Sequence, residues 1–292
     1  MSSRSVRFVV PFTAVMIVLM GSARTMSQAP ASTSLPQTAD GQPAIHGFWW
    51  AGIALHRGRG FEGSDSGGEA SPPAQPRRSV IVDPADGKVP YQPWAAARYK
   101  GIFARHNVFP VKPEDTDPQA RCAPAGLPRV HSHVTAFQIL QPAGQVIFLY
   151  QYPRSLHRSV PLDGRPHLGT NIPLWMGDSR GRWEGNTLVV DITNTNAQTW
   201  LDQVGGFHSD ALHMVERFTV VDAETIQYQT TLTDPKVYTR PWTVAWELKR
   251  QKDEHLQAFI IESECNEAGN PGLYAIMGTE HSQSTTEEQV ER

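Results

Sequence analysis

Arg182-Trp183-Glu184-Gly185-Asn186-Thr187-Leu188-Val189-Val190-Asp191-Ile192-Thr193 is the stretch that decides the fold. Two strand-forming runs flank Gly185-Asn186, and such a pair between such runs reads as a two-residue hairpin turn. The same pattern continues outward. Downstream, His213 to Val221, Thr225 to Thr233, Trp242 to Lys249 and Gln257 to Glu264 read as further strands. Upstream, Ala136 to Gln141 and Val146 to Tyr152 flank Pro142-Ala143-Gly144, and Leu156 to Val160 precedes Asp163-Gly164. Short connections force neighbouring strands to be antiparallel. A meander of about eight such strands closes most economically on itself, which removes exposed edges. The expected fold is all-β with a few short helices: an antiparallel up-and-down barrel or a strongly curled sheet, lipocalin-like. A two-layer sandwich is the competing architecture.

The N-terminal part has a different character. Arg4 and Arg7 precede an apolar run from Phe8 to Met20, broken only by Pro11 and Thr13, and Gly21-Ser22-Ala23 follows. This is the pattern of a secretory signal, with cleavage expected after Ala23 or after Ala31. The run is short for a membrane anchor, and no Cys follows it for lipid attachment. Residues 1–23 are therefore expected to be removed, and the mature chain to be periplasmic or secreted. Residues 24–44 read as a disordered linker and 281–292 as a disordered tail. Residues 45–280 read as one β-barrel-like domain, with a mobile loop over 57–90. The first strand is expected around Gly47-Phe48-Trp49-Trp50. A short helix is expected over 92–106, starting at Pro93.

The formal net charge is −3, and loss of Arg4 and Arg7 makes it more negative. That balance offers nothing to nucleic acid or to an anionic membrane. No glycine-rich phosphate loop, dinucleotide fingerprint, HExxH or GxSxG motif occurs, so no cofactor is expected. Cys122 and Cys265 leave two readings open, a disulfide closing a long loop or two buried thiols.

Alternate residues of a strand share a face. Glu216 falls among Met214, Phe218 and Val220. Asp234 ends the face of Ile226, Tyr228, Thr230 and Leu232. Arg158 shares a face with Leu156 and Val160. Charges on an inward face need partners, so Glu216 and Asp234 are both expected beside Arg158, either as a tuned proton-transfer site or as a structural ion pair. The Gly205-to-His213 loop runs directly into the Glu216 strand. It carries His208, the best candidate acid or base, although a loop histidine without function fits the same pattern. His213 and Glu216 point to opposite faces, which argues against a metal site. Trp200 and Asp191 are further candidates for contacting substrate. Trp242, Val244, Trp246 and Leu248 share a face that reads as core.

These segments resemble a family of mostly uncharacterised secreted bacterial proteins of soil and environmental lineages. The resemblance rests on Arg121-Cys122-Ala123-Pro124 with Pro128-Arg129, on Asp163 to His167, and on Met176-Gly177-Asp178-Ser179 with Gly181 to Asp191. It continues in His208-Ser209, Leu212-His213, Glu216-Arg217-Phe218, Asp234-Pro235, Tyr238 to Trp242 and Cys265-Asn266-Glu267. It spans about residues 120–267, with Asn186 and Asp210 where the family usually has Asp and Glu. It supports one exported domain and adds Trp183 and Tyr238 as substrate-facing candidates, but it brings no reaction with it. The residues themselves point to a cofactor-independent enzyme acting on a small, largely apolar molecule by lyase, isomerase or hydrolase chemistry. His208, Glu216, Asp234 and Arg158 would carry that chemistry. A lipocalin-like carrier without catalysis is the alternative, and an envelope interaction protein is a third class.

Overall fold

The computed structural model describes residues 35–51, 60–63, 79–105, 116–132, 136–150 and 156–253. Ten strands form one sheet. They are β1 (Gly47–Ala51), β2 (Ile81–Asp83), β3 (Phe137–Leu140), β4 (Gln145–Tyr150), β5 (Leu156–Pro161), β6 (Asp178–Glu184), β7 (Thr187–Thr193), β8 (His213–Asp222), β9 (Thr225–Thr233) and β10 (Trp242–Arg250). The hydrogen-bonded path runs β5-β4-β3-β1-β10-β9-β8-β7-β6, with β2 joined to β10. Every pairing is antiparallel.

This order is an up-and-down barrel in all but its last seam. Nine alternating strands bring the two edges, β5 and β6, together pointing the same way. An antiparallel ladder cannot form between them, and side chains bridge the gap instead. Gly181 makes that approach possible: a methyl group there would lie 2.6 Å from Val160 Cγ1 and 2.7 Å from Leu162 Cδ2. The result is a nearly closed barrel.

The quoted hairpin forms as the sequence requires. β6 and β7 pair from Glu184–Thr187 back to Asp178–Thr193. Gly185 takes φ +59, and Asn186 Nδ2 donates to Val220 O at 2.7 Å, tying the turn to β8. Alternation then fills the barrel. Phe148, Tyr150, Leu188, Val190, Phe218, Tyr228, Trp242, Val244 and Leu248 are all buried.

Helix α1 (Pro93–Arg105) starts at the expected proline and buries Ala95 and Ile102. It packs on the 200–207 loop, where Gly205 at φ +97 leaves no room for a Cβ beside Ile102. Two sequence expectations need correction. Part of the expected linker is built into the fold: a turn bridges Gln37 and Pro43, and Ala44 is buried. Within the expected 57–90 loop, Ile81–Asp83 is strand β2, because β10 offers it backbone partners. The expected signal, the Gln257-to-Glu264 strand and the 281–292 tail lie outside the described residues. Cys122 is disulfide-bonded, and Cys265 lies outside the described residues.

Candidate functional site

The four residues expected to act together fall into two separate places. Arg158 and Glu216 meet inside the barrel. Arg158 Nη1 lies 2.6 Å from Glu216 Oε2, with both side chains almost wholly shielded. Arg158 Nε donates to Ser179 Oγ at 2.9 Å. The 3₁₀ turn Arg129–Ser132 reaches into the same space and delivers His131, a residue sequence reasoning missed because it sits on no periodic strand. Tyr228 O–H donates to Glu216 Oε1 at 2.7 Å, and His131 Nε2 lies 3.1 Å from the same oxygen.

Burial pushes the Glu216 carboxyl up, but Arg158, His131 and Tyr228 together outweigh it and hold the group at about 2. Burial lowers the His131 pKa; Glu216 opposes this and Arg158 adds to it. A neutral His131 therefore donates Nε2–H to Glu216 and faces the Tyr150 hydroxyl at 3.4 Å with Nδ1. Rings of Phe137, Phe148, Tyr150, Phe218 and Tyr228 surround it at centroid distances of 5.1–5.5 Å. The knot is sealed and densely packed. It pins β4, β5, β6, β8, β9 and the 3₁₀ turn to one another.

Asp234 is buried as expected, but it lies nowhere in this knot. It accepts Ser209 N–H at 2.6 Å, Ser209 O–H at 2.8 Å and Lys236 N–H at 3.1 Å. The expectation that it pairs with Arg158 fails because β9 has ended by residue 234. The carboxylate emerges at the rim, where unpaired loop N–H groups take it instead. Its role there is to shape the loop that presents His208.

His208 lines a rim cleft of about 710 Å³. Its Nδ1 is 2.9 Å from the Ser209 carbonyl, which only accepts, so Nδ1 carries the proton. Nε2 then accepts from the Thr199 hydroxyl at 3.0 Å. Burial lowers the His208 pKa, with the Ser209 carbonyl and Asp234 opposing, and the ring is neutral near physiological pH.

Trp200 and Phe207 form part of the same wall, and Arg98 stacks over the Phe207 ring at 4.4 Å. Two half-exposed tryptophans, Trp94 (51%) and Trp175 (41%), frame the opening. Trp94 is held in place by its indole N–H, which donates to Lys236 O. Trp94, Trp175, Arg98 and Thr199 are the cleft residues the sequence did not reveal. They come from a helix start and from loops, where no face periodicity exists. An exposed tryptophan near a loop was the one available signal.

The remaining candidates stand apart from His208. Tyr238 lies behind the cleft, buried, with its hydroxyl donating to Phe207 O at 2.9 Å. Trp183 lies on β6, partly buried against the core. Asp191 is on the outer face of β7, between His167 Nε2 at 2.8 Å and His213 Nε2 at 2.9 Å, and His167 Nδ1 continues to Asp178. His213 and Glu216 do face opposite ways. Among the described residues, no group of three or more His, Cys, Asp or Glu side chains is arranged to hold a metal ion. None of their helices is long and apolar enough to cross a membrane.

No protein-family model matches the chain, and no curated protein does. Two solved structures are weakly similar, a point mutant and the wild type of the fluorescent protein UnaG. Identities are 14% and 16%, TM-scores 0.24 and 0.23, and each comparison covers 40% of this chain and 72% of the other. At that similarity the likeness carries no argument, and the fold stands on the strand pairing described above.

Proposed function

We propose that this chain is an exported small-molecule-binding protein whose ligand occupies the rim cleft, not the barrel interior. The observation that carries this reading is the pairing of two half-exposed tryptophans with a buried, neutral histidine around a space of ligand size. Large apolar side chains held half in water beside one another mark binding surfaces, and a few polar groups within an aromatic frame are the usual make-up of a ligand site. The interior is already occupied by His131 and its ring of aromatics. The test uses 8-anilinonaphthalene-1-sulfonate, which offers aromatic rings and an anionic group. Its saturable binding should weaken in Trp94→Ala and in Trp175→Ala. Trp50→Ala, which removes an exposed tryptophan of β1, should leave it unchanged. Equal affinity in all three variants would refute the assignment.

A second reading, acid–base catalysis, is favoured by one observation: the Nδ1–H to Ser209 bond leaves the His208 Nε2 lone pair on the Thr199 hydroxyl. In this reading His208→Gln preserves binding but lowers turnover by roughly 100-fold to 10,000-fold, the usual worth of one positioned acid or base. A variant that turns over at the wild-type rate would remove His208 from the chemistry.

A further inference from the structure

We propose that the rim cleft is one half of a longer trough that takes a neutral glycan of two or more sugar units; this rests on the cleft being the ligand site. A second depression of about 620 Å³ lies beside the first, and the two share Asn196, Gln198 and Asp210 in their walls. Each alone is within the range of ordinary ligand sites, so the pair suits an elongated molecule. Most ionisable groups along the trough have partners within the protein, His213 with Asp191 among them. Arg98 lies over Phe207, Asp210 pairs with Lys236 at 2.6 Å, and burial keeps His208 neutral. The second lobe adds the amides and hydroxyl of Thr170, Asn171, Asn196 and Gln198 to the aromatic wall of the first. Asn196 accepts the Gln198 N–H with Oδ1. Amides offer donor and acceptor side by side, which matches vicinal hydroxyls. The negative faces of Trp94 and Trp175 suit the polarised C–H faces of a sugar ring.

The ridge between the two lobes is itself held in an unfavourable shape. Ala197 takes φ +59, a left-handed conformation that disfavours any residue with a Cβ. Its neighbours hold it there: Asn196 N–H donates to Leu174 O, and Leu174 N–H donates to Asn194 O. Strain of this kind gathers at ligand sites, and here it lifts Asn196 and Gln198 between the lobes.

The experiment titrates the protein with cellotetraose, maltotetraose and chitotetraose and with the matching disaccharides. Tryptophan emission and displacement of 8-anilinonaphthalene-1-sulfonate are the readouts. At least one tetrasaccharide should saturate, displace the dye, and bind about tenfold more tightly than its disaccharide. Trp175→Ala should weaken both lengths. Asn171→Ala, in the second lobe, should weaken only the longer sugar. If the dye binds as described above but no sugar displaces it, the glycan proposal is wrong and the cleft reading stands. If neither dye nor sugar binds, both are wrong. Equal affinity for the two lengths would overturn the two-lobed trough.

Discussion

Replacing Arg158 with Met tests the sealed knot. Glu216 is fully buried, and Arg158 is its only cationic partner among the described residues. Without Arg158, the carboxylate keeps only the Tyr228 hydroxyl and the His131 N–H. Breaking a buried pair by removing one member costs about 3–5 kcal/mol, and for a domain of this size each kcal/mol lowers Tm by roughly 2–4 °C. The melting temperature should therefore fall by roughly 6–20 °C at neutral pH.

The pH dependence sharpens the test. In the native chain Glu216 sits at about 2 against an ordinary 4.5. It contributes about 3 kcal/mol that is fully present above 4.5 and lost as pH falls toward 2. In Arg158→Met, burial dominates and the folded-state pKa rises above 4.5, so the sign inverts. The variant gains stability on acidification, as the buried carboxyl takes up a proton. Chemical denaturation of both proteins between pH 3.5 and pH 8, chosen as about one pH unit below and several above the unfolded pKa, should show the difference shrinking toward acid. Arg158→Met/Glu216→Met should recover most of the loss, since an apolar replacement of a buried pair is often neutral. An unchanged Tm, or a difference independent of pH, would mean that Arg158 and Glu216 are not a buried pair.

Three other outcomes are expected. Asp202 is buried, and desolvation raises it to about 6 despite N–H bonds from Val204 and Gly206; its carboxyl carbon should titrate by NMR near 6, and native stability should fall by about 3 kcal/mol as pH rises from 4 through 6. A midpoint near 4 would contradict this. Gly181→Ala should wedge the β5–β6 seam apart and cost about 1–3 kcal/mol, seen as a lower denaturant midpoint; a neutral effect would mean the seam is looser than described. The N-terminus of exported protein should begin near Arg24 or Ser32, and recovery of an intact Met1 terminus in soluble cytosol would remove export.

Strand periodicity made the barrel legible. Glu216 and Arg158 face inward as alternation requires, Asp234 is buried, and β7 through β10 lie within a residue or two of their expected bounds. Periodicity assigns a face but not a height along the barrel. That is why Asp234 was grouped with Arg158, although it lies buried at the rim where β9 ends. His131, Thr199, Trp94 and Trp175 come from a 3₁₀ turn, loops and a helix start. Their positions depend on contacts that no strand pattern carries, such as Trp94 with Lys236 and Thr199 with His208. His208 was found because its loop leads straight into a readable strand.

Hydrogen exchange of the free protein and of protein saturated with 8-anilinonaphthalene-1-sulfonate locates the ligand. New protection is expected over 194–211 and at the start of α1, with β4, β5 and β8 unchanged. Protection confined to those interior strands, around Glu216 and His131, would place the ligand inside the barrel and contradict the rim-cleft assignment.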